Sequence, residues 1–210
     1  MDQNYVDITL VIDRSGSMNA IRDDAEGGIN AFIKDQAKNQ GKCTLTLVDF
    51  DTDYRIIHNG VDIKLVGEYR LEPNGFTALL DAVGQAITST GSRLAKMSDS
   101  EKPALVICMI VTDGAENSSK EYKVEQIQKM ISHQREVYKW QFSFLGVGES
   151  VFEDAEKLGI DAAGIASYST DKSSELYDAM SSKVTRMRMC CAEGEEISNS
   201  FTPDELKKMI

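Results

Sequence analysis

Several things are missing from this 210-residue chain. No apolar run approaches the about 20 residues needed to span a bilayer, which argues against a membrane protein. The opening Met1-Asp2-Gln3-Asn4 has neither the basic start nor the apolar core of a secretory signal. Basic residues are outnumbered, 23 against 34 acids, for a net charge of −11, and they lie scattered among the acids. A surface of that sign repels phosphate backbones, so nucleic acid is not an expected partner. The four cysteines form no framework. Cys43 and Cys108 sit inside strand-like runs as small hydrophobes, and the adjacent Cys190 and Cys191 have no C-x-x-C counterpart. A reduced, cytoplasmic protein is the resulting expectation. His58 and His133 are isolated from any nucleophile motif. There is no Gly-x-x-x-x-Gly-Lys-Ser/Thr and no Gly-x-Gly-x-x-Gly after the first strand, so a nucleotide-binding loop is not expected.

What is present is an ordinary globular composition, 41% hydrophobic and 27% charged, long enough for a full core. An apolar-rich run from Val6 to Ile12 climbs to Asp13, turns through Ser15, Gly16 and Ser17, and enters a helical pattern of Ile21, Ala25, Ile29, Phe32 and Ile33. Gly27-Gly28 interrupts that pattern and points to a close packing contact. Lys42 to Phe50 reads as a strand. Tyr54–His58 and Val61–Leu65 read as extended, the first returning antiparallel because its connecting turn is so short. Leu71 to Thr77 is a turn-rich loop before a helix carrying Leu80, Val83, Ile87 and Leu94. Ala104 to Val111 is apolar throughout, as a central parallel strand covered on both faces should be, and it ends on Thr112-Asp113-Gly114. A helix through Val124, Ile127 and Ile131, a strand through Phe142 and Phe144, a short helix at Val151–Leu158, a strand at Gly164–Ser169 and a helix through Leu176, Met180, Val184 and Met187 complete an alternating α/β series. Residues 192–200 read as an acidic linker or frayed tail. Thr202-Pro203-Asp204-Glu205 is a capping box that starts a short helix, too short to persist unless it docks.

Asp13, Ser15 and Ser17 offer hard oxygen ligands in one loop and suit Mg²⁺ rather than zinc, yet the same serines suit a helix cap. Parallel strands present their C-terminal ends on one edge, where ligands bind if the strand order reverses. If the strands ending at Asp13 and Asp113 are neighbours there, their carboxylates repel, and a divalent cation resolves the conflict. Hydroxyls of Ser15, Ser17 and Thr77 then complete most of an octahedron with a position left open. Asp51 and Asp53 lack the glycine and the terminal Glu of a calcium loop and read as a solvated turn. Met180, Met187 and Met189 read as helix core.

Asp13-x-Ser15-x-Ser17, Thr77 in a Gly-x-Thr loop, and Thr112-Asp113-Gly114 together resemble the metal-ion-dependent adhesion site of von Willebrand factor A domains. The resemblance spans about Tyr5 to Cys191, and Asp13–Met18 is more like the stand-alone bacterial and phage members than the integrin inserts. It implies a Rossmann-like three-layer α/β/α fold with a six-stranded, mainly parallel sheet and one antiparallel edge strand. Residues 1–191 would form the domain, with 192–210 as linker and short helix. It further implies Mg²⁺, with Mn²⁺ or Ca²⁺ as substitutes, held by Asp13, Ser15, Ser17, Thr77 and Asp113, and a partner's Asp or Glu at the open position. The partner-facing rim is expected from Arg14, Met18, Phe76, Glu116 and Asn117, with Arg14 also offsetting negative charge and Glu116 and Asn117 also candidates to cap the following helix. Family members of this type work beside ring-forming ATPases or in bacterial stress and phage systems. Two further expectations concern the tail, which either docks or offers Asp204 and Glu205 to a neighbouring copy, and the chemistry. The alternative chemistry is a Mg²⁺-dependent phosphotransferase or hydrolase with Asp13 as nucleophile.

Overall fold

The computed structural model describes residues 1–148 and 150–209. Six strands form one sheet: β1 (Asp2–Asp13), β2 (Lys42–Phe50), β3 (Tyr54–Asp62), β4 (Pro103–Val111), β5 (Gln141–Val147) and β6 (Ile165–Tyr168). Their order is β3-β2-β1-β4-β5-β6. All neighbours are parallel except β3, which returns antiparallel along β2 from a turn too short for a crossover. Six α-helices accompany the sheet: α1 (Arg22–Lys38), α2 (Leu79–Ala95), α3 (Val124–Tyr138), α4 (Val151–Lys157), α5 (Ser173–Glu193) and α6 (Pro203–Met209).

The two-residue period of a strand divides the core. Along β4, Leu105, Ile107, Met109 and Val111 join the layer formed with α1 and α5. Val106, Cys108 and Ile110 point the other way, toward α2, α3 and α4. Each fully buried aliphatic side chain of this kind contributes about 2 kcal/mol of transfer free energy. On β1 the second face is more polar. Its Asp7 pairs with Arg93 of α2 at 2.9 Å, and Thr9 bonds Thr90 at 3.0 Å. This is how a helix amphipathic in sequence seats over a strand that alternates acid and hydroxyl.

Three local outcomes refine the expectations. Gly28 lies against the Tyr177 ring, where a Cβ would overlap it, so α1 and α5 approach closely at that point; Gly27 faces open space. The chain does not pass straight from Ser15 into α1. Gly16–Ile21 forms a tighter 3₁₀ segment that turns Met18 inward. The expected extended segment Val61–Leu65 is divided. Val61 and Asp62 complete β3, and Asp62 then accepts the Lys64 N–H at 3.0 Å and winds Ile63–Leu65 into a 3₁₀ turn.

The C-terminal segment is docked. α5 ends at Gly194, whose φ of 71° supplies the left-handed cap. Asn199 Nδ2 then donates to the Phe142 carbonyl at 2.6 Å, and Phe201 and Met209 enter the α1/α5 core layer. The capping box forms as expected: Glu205 N–H donates to Thr202 Oγ1 at 3.2 Å and Thr202 N–H to Glu205 Oε2 at 2.7 Å. Glu205 is buried and also pairs with Arg186 at 3.1 Å, so Asp204 is the acid that this helix leaves in solvent. Met180 and Met187 are core, whereas Met189 is exposed. Among the described residues, no helix is long and apolar enough to cross a membrane.

Candidate metal centre

β1 and β4 are adjacent, with Ile12 opposite Val111, and the strand order reverses between them. Their C-terminal ends therefore place Asp13 and Asp113 at the switch point, on the edge where ligands enter such sheets. Asp13 is fully buried. Its Oδ1 accepts the Ser15 N–H at 2.6 Å, and its Oδ2 accepts the Thr112 hydroxyl at 2.5 Å, tying β1 to β4. The Ser15 and Ser17 hydroxyls are 3.1 Å apart, and Ser17 donates to Asp113 Oδ1 at 2.7 Å. Thr77 is buried across the same concavity. A Cβ built on Gly114 would lie 3.5 Å from the Thr77 hydroxyl and 3.9 Å from that of Ser17, so the glycine keeps the space between them clear. All five expected oxygen-bearing side chains meet there.

The electrostatics of this cluster differ from those of most other buried acids. Asp7 has Arg93, Asp49 has Arg55 and Arg14, Asp51 has Arg14, and Glu205 has Arg186. Asp81 is buried without an arginine, but it accepts three backbone N–H groups, from Lys120, Glu121 and Tyr122. Asp13 and Asp113 have no Lys or Arg at ion-pair distance among the described residues. Burial pushes the Asp13 carboxyl up to about 6, opposed by its Thr112 and Ser15 hydrogen bonds and aided by the nearby Asp113 charge. Burial raises Asp113 as well. This is the conflict between neighbouring carboxylates that a cation removes. Among the described residues no group of three His, Cys, Asp or Glu side chains is placed to hold a metal, so the donor set here is two carboxylates with hydroxyls. Such a set fits a hard cation.

The expected rim is corrected in part. Met18 is fully buried in the core, carried inward by the 3₁₀ turn, and cannot face a partner. Arg14 is also buried. Its Nη1 meets Asp51 Oδ2 at 2.6 Å and its Nε lies 3.4 Å from Asp49 Oδ1, so the charge it offsets is theirs rather than that of Asp13. Glu116 does not cap the following helix. It reaches back to α2, where Oε2 accepts the Leu80 N–H at 3.0 Å, satisfying one of the orphan donors of that helix's first turn. Asn117 braces Thr77 from both sides, accepting its N–H at 2.9 Å and donating to its carbonyl at 3.0 Å. Phe76 is 66% exposed beside Thr77. Gly75, at φ 65°, allows the turn that presents both.

Sequence reasoning missed several contributors. Thr112 was visible only as part of a Thr-Asp-Gly triplet, and its bond to Asp13 could not be read without the β1–β4 pairing. Asp81 fixes the loop after β4, with nothing in the local pattern to announce it. Tyr168, at the end of β6, is buried, and its hydroxyl has no hydrogen-bond partner among the described residues. Burial first, then Tyr177 and the Asp113 and Asp13 charges, raise its phenol, which places it near the centre.

No protein-family model and no curated sequence matches the chain. Solved structures do. Proximal thread matrix protein 1 from the mussel byssus superposes with a TM-score of 0.60 at 19% identity over 89% of this chain. The fold is that of a von Willebrand factor A domain. The vWF domain of the type V pili tip protein Mfa5 from Porphyromonas gingivalis gives 0.61 at 12% identity, over 86% of this chain and 95% of that one. A von Willebrand factor type A protein from Catenulispora acidiphila gives 0.57 at 16%, over 86% of this chain and 42% of that one. This chain spans 46% of the mussel protein, which has also been solved with a zinc-occupied MIDAS motif.

Proposed function

We propose that this vWA domain is a metal-dependent protein-interaction module. In this reading a divalent cation, Mg²⁺ by the hardness of the donors, is held by Asp13, Ser15, Ser17, Thr77 and Asp113, directly or through water. The observation that carries the proposal is the contrast in charge pairing: among the described residues, buried Asp13 and half-buried Asp113 lack the arginine or the three backbone donors that serve the buried acids Asp7, Asp49, Asp51, Asp81 and Glu205. Bound there, the cation supplies a positive centre with an open position for an external oxygen. Only two ligands are charged, so the centre keeps positive character and favours a partner's Asp or Glu carboxylate. Asn117, Glu116 and Thr112 hold the surrounding loops in place, and Phe76 offers an exposed apolar contact beside the site.

The enzymatic alternative asks Asp13 to attack a phosphate. Both Asp13 oxygens accept hydrogen bonds and the side chain is fully buried, which is poor geometry for a nucleophile. Its test is turnover of a generic phosphate ester in Mg²⁺ that is lost in Asp13→Asn. The binding reading is tested by capture of partner proteins from the native host with Mg²⁺ and with chelator. Capture is expected to disappear with chelator and in Thr77→Ala, with the circular dichroism of the variant unchanged. Capture indifferent to both contradicts the reading. Partners of the stress, phage or ring-ATPase classes belong to the same proposal, as does cytoplasmic residence. Self-association through the tail would have to use Asp204, because Glu205 is engaged within its own chain.

A further inference from the structure

Beside the metal centre, on the β4–β5 side, lies a cavity of about 180 Å³. Thr112, Asp113 and Gly114 form the wall it shares with the centre. The buried and half-buried part of the remaining lining is mainly apolar, made by Leu79, Val124, Phe144, Val151 and Leu158, with Ser150 as a further polar contributor. Gly146 at the end of β5 lets Val151 lie directly on the strand, since a Cβ there would overlap the valine side chain. The mouth is charged: Lys157 and Asp154 pair at 3.2 Å, with Glu116 nearby. The space is ample for one phenyl or branched aliphatic group, because an apolar cavity of about 150 Å³ accommodates benzene.

Resting on the metal-dependent reading above, we infer that the partner segment is bipartite, with an acid at the metal and an apolar side chain in this cavity. Two features support this occupant over an isolated small molecule. The cavity is continuous with the centre through Asp113 and Gly114, so one ligand can reach both. In an extended segment, side chains two positions apart share a face about 7 Å apart, which suits adjacent polar and apolar subsites. The cationic centre takes the carboxylate and the apolar interior takes its neighbour, while the Lys157–Asp154 pair at the mouth is left in solvent. Specificity among acidic partners then comes from the second residue, since every exposed Asp or Glu can offer the first.

The test uses two carboxylates as probes, acetate and 4-phenylbutanoate, titrated into ¹⁵N-labelled protein with saturating Mg²⁺ and with chelator. Both are expected to shift the amides of Gly114 and Ala115 only with Mg²⁺. The phenyl compound is expected to shift Val147, Val151 and Leu158 as well and to bind about tenfold tighter, the gain expected from burying an aromatic group. In Val124→Trp, which fills the cavity, the two compounds are expected to bind alike. If both bind equally in the wild type, the inference is overturned and the metal reading stands. If 4-phenylbutanoate shifts the cavity amides equally without Mg²⁺, the cavity is an independent apolar site and the inference is overturned. If neither compound responds to Mg²⁺, the metal reading falls and the inference with it.

Discussion

Arg14 Nη1 lies 2.6 Å from Asp51 Oδ2, and this pair joins the loop after β1 to the turn after β2. The loop carrying Thr77 hangs on the same two residues. Asn74 N–H donates to the Arg14 carbonyl at 2.8 Å, and Ala78 N–H donates to the Asp51 carbonyl at 2.7 Å. Two of the three loops of the candidate metal centre are thus set relative to each other by an ion pair to which none of the five proposed ligand side chains belongs.

Arg14→Met is therefore expected to cost roughly 3 kcal/mol, since it leaves Asp51 buried without its partner. It should also weaken Mg²⁺ binding although Arg14 contributes no oxygen. Urea unfolding and Mg²⁺ titration of the variant measure the two effects. Unchanged Mg²⁺ affinity would show that the loops hold their places without the pair.

The adjacent glycines of α1 should respond with opposite signs. Gly28→Ala forces a methyl into the Tyr177 ring and is expected to destabilise by about 1–3 kcal/mol. Gly27→Ala meets nothing within 4 Å and should stabilise by about 0.5–1 kcal/mol through helix propensity. Denaturant midpoints of the two variants decide it, and equal effects would refute the α1–α5 contact.

Lys183 is buried, donates to Ser143 Oγ at 2.8 Å and lies 3.8 Å over the Phe201 ring. Burial lowers it from 10.5 to about 7; the charges that bear on it are Glu205, which opposes the shift, and Arg186, which adds to it. Between these values the unfolded chain holds a proton that the folded chain lacks, so stability rises with pH from about 7 toward 10.5. The order of magnitude is a few kcal/mol. Lys183→Met should flatten this rise and stabilise the protein at pH 7, as read from unfolding midpoints across that range. Parallel pH profiles for the two proteins would contradict it.

Phe201→Ala removes the anchor of the C-terminal segment from the core and should cost about 3 kcal/mol. Proteolysis of residues 195–202 should accelerate in the variant. An unchanged melting temperature would mean that Met209, Arg186 and the Asn199–Phe142 hydrogen bond hold the segment without Phe201.

The features legible in the sequence were those with a one-dimensional signature. Val6–Asp13 and Ala104–Asp113 announced themselves as apolar runs ending on acids, and the unbroken apolarity of the second marked it as central. Four of the five oxygen-bearing residues stand at or just after the ends of those runs, Thr77 stands in the turn-rich loop before α2, and the capping box of α6 is explicit at Thr202 and Glu205. What could not be read depended on turns and on distant pairing. Met18 stands next to Ser17 in sequence, but a 3₁₀ turn rotates it into the core while Ser17 stays out. Arg14 looked like a neighbour of the ligands; only the β1–β2 register brings Asp49 and Asp51 within its reach. Glu116 lies before α3 yet serves α2, a choice set by loop packing. The cavity beside Asp113 depends on Val151 of α4 and Leu158 just after it, about 40 residues further along the chain.

The most direct test of the metal centre is the melting temperature of the wild type and of Asp113→Ala, each with Mg²⁺ and with chelator. A cation bound only by the folded state raises the transition, by about 2.7 kcal/mol of stability at a hundredfold excess over its dissociation constant. Wild-type protein is expected to melt several degrees higher with Mg²⁺, and Asp113→Ala to melt at one temperature in both conditions. A wild-type melt that is the same with Mg²⁺ and with chelator would contradict the account.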